Sequence, residues 1–564
     1  MLCQHDKDMN NMRVYFSAPL LLAFFTPLAQ GAEGGRLMEQ QSSHQQEQEK
    51  ARYSQLETQG KDVRASDSGE AKSTQINFPQ EANCFTIAQV ILNKDDKIPH
   101  WLPLRKLSAQ AEGRCLGIQG VRTLAAALQN RLIRHGYITT RVVAPRQDLN
   151  AGVLTLTILP GVVGNIAFSE NSDKYANLYT TFPDHKGDIL DLRAIEQGLE
   201  NIQRIPGADA NVILRPGERE GETDIEIARS QPSFWRVGGW FDDAGSRYTG
   251  RYQGGMAFYL DNPTSLNDLF YVSFGRDLAW QKWRNSKNRS LYYSVPYGFW
   301  SLDMYASRSE YMQRISGTWA DLQYQGKSRN LSLKVNRLLY RNASQKTTAS
   351  VQLLKNDASY FVNDIKLSIR ERKVTKAVVR LNHRHYIGRS IVDAMVSYQR
   401  NTSWFGARQQ AAASPHSRAV NLDISASVPF ILLGQSMSYQ PRYQQQHSRD
   451  RLATQDQFSI GNRWTVRGFD GEYNLSANRG YVLRNDLNLN LPKYNQQLYL
   501  GMDYGRVSGG DNDFSRGHLA GGVLGLRGRI GRVSYDAFVG APLAKPKGFD
   551  TSPVNLGFTL QWQF

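Results

Sequence analysis

The chain closes on a stretch, Val554 to Phe564, that alternates without interruption: Leu556, Phe558, Leu560, Trp562 and Phe564 are apolar, with Asn555, Gly557, Thr559, Gln561 and Gln563 between them. A strand of that period has one apolar and one polar face. With a terminal aromatic it is the pattern of a strand in an outer-membrane β-barrel, where backbone hydrogen bonds close internally and the two faces meet lipid and a wet lumen. An ordinary half-buried strand has the same period, so the neighbouring segments decide. Leu498, Leu500, Met502 and Tyr504 alternate with Tyr499, Gly501, Asp503 and Gly505, and Leu483, Leu487, Leu489 and Leu491 lie opposite Arg484, Asp486, Asn488 and Asn490. Val420, Leu422, Ile424, Ala426, Val428 and Phe430 lie opposite Asn421, Asp423, Ser425 and Ser427; Val533, Tyr535, Ala537 and Val539 follow the rule, although Phe538 breaks their polar face. Charged and amide groups repeated on one face are costly in a dry core and cheap against water. The inward face therefore lines a lumen.

Length and composition set the scale of this barrel. The chain has 564 residues, and residues 232–564 allow on the order of 16 antiparallel strands at about twenty residues per strand and connection. That width admits an aqueous channel. Mean hydropathy is negative, and no apolar run of about 20 residues follows the N-terminus, which excludes helical membrane spans. The net charge of +17 is spread along the chain, so a focused nucleic-acid patch is not indicated. Lumen lining and contact with anionic lipid headgroups suit these charges better.

The N-terminus reads as a secretory signal over residues 1–32: Met12-Arg13, an apolar run from Val14 to Leu28, then Ala29-Gln30-Gly31-Ala32. Asp6 and Asp8 weaken the leading segment, so translation from Met1, Met9 or Met12 is compatible with it. Cleavage removes Cys3 and leaves Cys84 and Cys115; an oxidising compartment favours a disulfide, the alternative being two buried thiols. Residues 33–63 are rich in Gln and Glu, and composition alone reads them as a disordered tail. Residues 64–78 read as a flexible linker. Two α/β modules follow, at 79–160 and 161–231. In the first, Val121, Leu124, Ala125, Leu128 and Leu132 stripe a helix stopped by Gly136, before strands Ile138–Ala144 and Val153–Leu159. In the second, strand Val163–Phe168 precedes a helix striped by Leu192, Ile195, Leu199 and Ile202, with strands Ala210–Leu214 and Thr223–Ala228 after it. A unit repeated in this way exposes sheet edges to which an extended chain can add.

Signal, two modules and a barrel ending in Phe564 together resemble the outer-membrane transporters of two-partner secretion, of the haemolysin-activator and filamentous-haemagglutinin type. The resemblance covers nearly the whole mature chain. Its most specific residues are Val466-Arg467-Gly468-Phe469-Asp470-Gly471, which match the family's motif in a loop that folds back into the lumen, and Gly501-Met502-Asp503-Tyr504-Gly505, which match its strand motif with a central Asp. Lesser matches are Cys84-Phe-Thr-Ile, Leu159-Pro-Gly, Asp261-Asn-Pro-Thr and Tyr293-Ser-Val-Pro-Tyr-Gly298. The resemblance implies that Arg467 pairs with Asp503. It implies that the modules are POTRA domains binding the secretion domain of a large exoprotein (adhesin, haemolysin or growth-inhibition toxin) in the periplasm, and that a polar helix within 34–60 plugs the pore. It also makes Trp562 and Phe564 a signal read by the barrel-assembly machinery, and places the chain in the outer membrane of a Gram-negative bacterium.

Parity on the strand from Leu498 to Tyr504 independently puts Asp503 on the inward face with Gly501 and Gly505. Two other readings use the same barrel. A porin or receptor leaves the modules and Val466–Gly471 without a role, whereas a barrel-assembly factor shares the loop motif, and Phe469 stands where many two-partner transporters have Tyr. No G-x-S-x-G, H-E-x-x-H or phosphate-binding G-x-x-x-x-G-K-[ST] motif is present, and the ten His show no metal-ligand spacing. No enzyme, cofactor or metal is indicated, and export without ATP requires another driving force, such as folding of the substrate outside.

Overall fold

The computed structural model describes residues 41, 44, 47–51, 62–64 and 75–564, apart from 280, 316–320, 409–412, 415 and 511–515. The signal at 1–32, much of the polar segment 33–63 and residues 65–74 of the linker lie outside the described residues.

Each module is a helix packed on a three-stranded sheet. In the first, Gln89–Lys94 runs parallel to Val153–Leu159, which pairs antiparallel with Arg141–Val143. Helix Ile118–Arg134 buries Leu124, Leu128 and Leu132 against that sheet, and Gly136, with φ +104°, ends it in a conformation that a side chain resists. Its first turn is capped from a distance, because the Glu81 carboxylate accepts from the backbone N–H of Gly117, Gln119 and Gly120 at 2.9, 2.8 and 2.7 Å. These bonds hold the Glu81 carboxyl below its usual range against the effect of desolvation. Cys84 and Cys115 are joined as a disulfide beside the small ladder of Phe85–Thr86 with Cys115–Leu116.

Two features of this module differ from the sequence reading. The strand expected at Ile138–Ala144 is confined to Arg141–Val143, because Thr140 C=O and Val142 N–H bond the Gln129 side chain of the helix. Strand Gln89–Lys94 was not anticipated; only Val90 of its six residues is buried, too little to leave a period. The second module repeats the plan, with Val162–Phe168 parallel to Glu222–Ser230, Asp209–Pro216 antiparallel to the latter, and helix Leu192–Gln203 above. It docks on the barrel through polar groups. Arg341, the last residue of a barrel strand, donates to Glu196 and Glu200 of the helix at 3.1 and 2.5 Å, and Asn201 donates to Gly298 O at 2.9 Å.

Sixteen antiparallel strands close the barrel, from Trp235–Asp242 to Asn555–Gln563, in agreement with the sequence estimate. The last strand pairs with the first from Thr559↔Asp242 to Gln563↔Gly238, and Phe564 and Val237 exchange backbone bonds at 2.8 and 3.4 Å. On strand Gln496–Ser508 the alternation is complete: Leu498, Leu500, Met502 and Tyr504 are exposed on the outer wall, while Tyr499, Gly501, Asp503, Gly505 and Val507 are buried inside. Among the described residues no helix is long and apolar enough to cross a membrane.

Candidate functional site

The connection between strands Gln435–His447 and Arg479–Leu491 turns into the barrel instead of outward. It carries a hairpin of Phe458–Ile460 with Leu475–Ala477, and Val466–Gly471 lies between the two arms. The turns at Gly461, Gly468 and Gly471 have φ of +110°, +95° and +77°, accessible to glycine without strain. The fit to the wall is close. A Cβ on Gly468 would lie 2.4 Å from Ala541 O, and one on Gly521 would lie 1.8 Å from Arg467 O. Behind the motif the inward face is dry rather than wet, since Ile460, Val466, Phe469 and Leu475 of the loop pack with Val482, Val507, Leu519 and Phe549 of the wall and its connections.

Arg467 points away from this apolar packing into a pair of carboxylates. Its Nε donates to Asp503 Oδ2 at 2.7 Å, its Nη2 to Asp503 Oδ1 at 2.8 Å, and its backbone N–H to Oδ2 at 3.0 Å. The same Nη2 also donates to Asp486. Arg467 and Asp503 are each 4 % exposed, so the pair is a two-pronged, charge-assisted contact away from solvent. Gly501 makes room for it, because a Cβ there would meet Arg467 Nη2 at 2.5 Å. Arg484 sits beside the cluster and donates to Trp464 O at 3.0 Å. Two cations thus face two carboxylates. Asp486 and Arg484 were visible in the sequence as inward-facing residues, but nothing there marked them as belonging with Arg467.

The remaining motif residues fix the two ends of the loop. Phe469 is buried edge-on to Phe549, with ring centroids 5.8 Å apart. Asp470 accepts from Ser552 N–H and Oγ at 3.0 Å and from Arg247 at 3.2 Å, and Gly471 supplies the turn after it. A second ion cluster, not foreseen from the sequence, holds the loop near Asp456: both carboxylate oxygens accept from Arg372 Nη2 at 2.7 Å, and Lys376 donates to Oδ1. At the C-terminal seam the Trp562 ring covers Gly239 of the first strand, and Arg532 stacks on Phe564 at 5.1 Å.

Residues 41, 44 and 47–51 are helical and lie within the barrel. Gln41 donates to Thr249 at 3.0 Å, His44 bonds Ala244 O at 2.8 Å, and Tyr305 of the wall donates to Glu49. Beside them a cavity of about 430 Å³ is lined by Glu47, Lys50, Tyr305, Arg372 and Asp456 among others.

A closed sixteen-strand barrel with an ion-pinned loop folded into its lumen, preceded by two POTRA-like modules of which the second docks at one mouth, defines an outer-membrane polypeptide transporter. The family model described as "Haemolysin secretion/activation protein ShlB/FhaC/HecB" matches residues 221–528, and POTRA models match 85–161, there of the ShlB type, and 162–216. Outer membrane transporter CdiB-2 of Burkholderia pseudomallei (strain 1026b) is 34% identical over 514 residues, covering 86% of this chain and 88% of that protein. The solved structures of CdiB from Acinetobacter baumannii and from Escherichia coli superpose with TM-scores of 0.83 and 0.81, each at 26% identity over 94% of this chain and 99% of theirs. The chain belongs to the haemolysin secretion/activation family. It is a two-partner secretion transporter of the outer membrane, its POTRA modules lie in the periplasm, and it exports a partner protein.

Proposed function

We propose that the POTRA modules capture the secretion domain of a large exoprotein and pass it to the lumen, where the Arg467 cluster holds the inward loop as one wall of the export path. The observation that carries this is Arg467, buried between Asp503 and Asp486. A loop pinned by one guanidinium to two strands is rigid while the contact stands and mobile when it is broken. The helical residues 41, 44 and 47–51 belong to a plug of the resting pore, and their hydrogen bonds to Thr249, Ala244 and Tyr305 are polar and exchangeable for water. The exposed edges at Gln89–Lys94 and Asp209–Pro216 suit β-addition of an incoming chain. Export needs no nucleotide on this reading, because folding outside makes return unfavourable. The partner is an adhesin, haemolysin or growth-inhibition toxin, the C-terminal strand with Trp562 and Phe564 is read by the barrel-assembly machinery, and the chain itself performs no chemistry.

The test deletes the gene and restores it with wild type or with Arg467→Ala, then follows both secreted proteins and resident outer-membrane barrels. Loss of one large exoprotein with other barrels unchanged supports the proposal. A general fall in barrels makes the chain an assembly factor instead, and no change in either leaves a channel or receptor.

A further inference from the structure

Three neighbouring strands, Asn285–Tyr297, Trp300–Ile315 and Leu322–Arg341, set three arginines side by side. Arg289 stands directly opposite Arg308, and Arg308 directly opposite Arg329. All three are exposed. They face the outside of the barrel, since the alternate residues point inward: Ser290 bonds Ser273 at 2.6 Å, and Asn330 bonds Ser307 at 3.1 Å. Like charges directly opposite on adjacent strands repel. Arg308 is offset by Glu310 at 2.8 Å, and Asp357 of the following strand stands directly opposite Arg329 without forming an ion pair with it, so that among the described residues Arg289 makes no ion pair and three arginines face two carboxylates. The outward row above, Lys287↔Glu310↔Lys327, adds two further cations.

The height of the row gives it meaning. Below it on the same outer face lie Leu291, Ala306 and Leu331, and the apolar band ends at Tyr297 and Trp300 on the periplasmic side. Eight residues from Trp300 to Arg308, at about 3.3 Å each along a strand tilted by roughly 40°, span on the order of 20 Å of membrane depth. That places the arginines where outer-leaflet acyl chains give way to headgroups. We propose that this wall binds a phosphorylated glycolipid of the outer leaflet, its phosphates bridging Arg289, Arg308 and Arg329 and its acyl chains lying on Leu291 and Leu331, which are 40 % and 56 % exposed. Guanidinium pairs chelate phosphate oxygens with a geometry that lysine does not match. An acidic exported protein fits less well, because the site lies on the lipid side of the wall and is continuous with the apolar band. The inference stands apart from the proposed export route, so loss of export neither supports nor weakens it.

The experiment measures binding to the full-length protein in detergent, by native mass spectrometry and titration, of bisphosphorylated lipid A, of the same lipid with its phosphates removed, and of inositol hexakisphosphate. Wild type should bind lipid A at least tenfold more tightly than either comparison compound. Arg289→Gln/Arg308→Gln/Arg329→Gln should lose at least tenfold in lipid A affinity, yet keep the heat-modifiable migration of a folded barrel and, without lipid, unfold no earlier than wild type. Equal affinity for the dephosphorylated lipid overturns the phosphate assignment without any variant. Equal affinity for inositol hexakisphosphate overturns the lipid assignment, and undiminished lipid A binding by the triple variant overturns the site.

Discussion

Removing the Arg467 side chain alone should do more damage than removing it together with the charge of one carboxylate that it pairs with. Arg467→Ala deletes the guanidinium bonds to Asp503 and Asp486 and leaves both carboxylates facing each other, with only Arg484 near. Breaking a buried pair from one side costs about 3–5 kcal/mol, chiefly because the abandoned charge remains desolvated. At about 1.4 kcal/mol per tenfold, the loop should open roughly three powers of ten more often. The apolar packing of Val466 and Phe469 is untouched, so the barrel should stay folded and the change should be local. Hydrogen exchange on the purified protein reads this directly: amides of Ile460 and Leu475 should lose protection by about that factor, while those of strand Gln496–Ser508 keep most of theirs. Neutralising one partner as well, in Arg467→Ala/Asp503→Asn, should restore most of the protection, because Asp486 then faces Arg484 and no charge of the cluster is left unmatched. Equal exchange in wild type and Arg467→Ala, or a double variant as labile as the single one, would refute the view that buried charge holds this loop.

Other perturbations follow from the same geometry. Gly521→Ala should displace the loop, since its Cβ would meet Arg467 O; exchange in Phe458–Ile460 should rise although no charge has changed. Reversal at either Arg372 or Asp456 should loosen the loop around Gln455 without disturbing the Arg467 contact, and Arg372→Asp/Asp456→Arg should recover part of the loss, as limited proteolysis of the single and double variants would show. In the second module, burial and the neighbouring Asp191 charge raise the Asp184 carboxyl to about 7, and burial raises that of Asp191 to about 6. Between the unfolded value near 4 and pH 7 the folded module therefore binds more protons than the unfolded one, and stability must fall as pH rises through that window. The two groups titrate as a pair, so roughly 1–3 kcal/mol is expected. Exchange from helix Leu192–Gln203 should be slower at pH 5 than at pH 7 after correction for the intrinsic rate, and Asp184→Asn should flatten the difference.

The strictly local rules of this chain were legible without coordinates. A period of two over successive segments can be satisfied only by strands with unlike faces, and a terminal aromatic strand among polar-inward neighbours leaves few solutions other than a closed barrel in a membrane. The two helix stripes read as clearly, because Leu124, Leu128 and Leu132, or Ile195 and Ile202, carry the period within one turn or two. Strand Gln89–Lys94 did not, because its partner Val153–Leu159 is distant in sequence and it buries too little by itself.

What only the tertiary structure decided is which inward and outward groups meet. The sequence sets the parity of Asp486, Arg484 and Asp503, but strand register assembles them around one guanidinium from a loop. Asp456 and Arg372 meet across 84 residues, and three arginines become neighbours only through the pairing of three long strands. The dryness of the lumen behind Val466 and Phe469 is of the same kind. Alternation tells which face a side chain takes, a property of the local backbone, whereas burial and charge pairing depend on what the folded chain brings to that face.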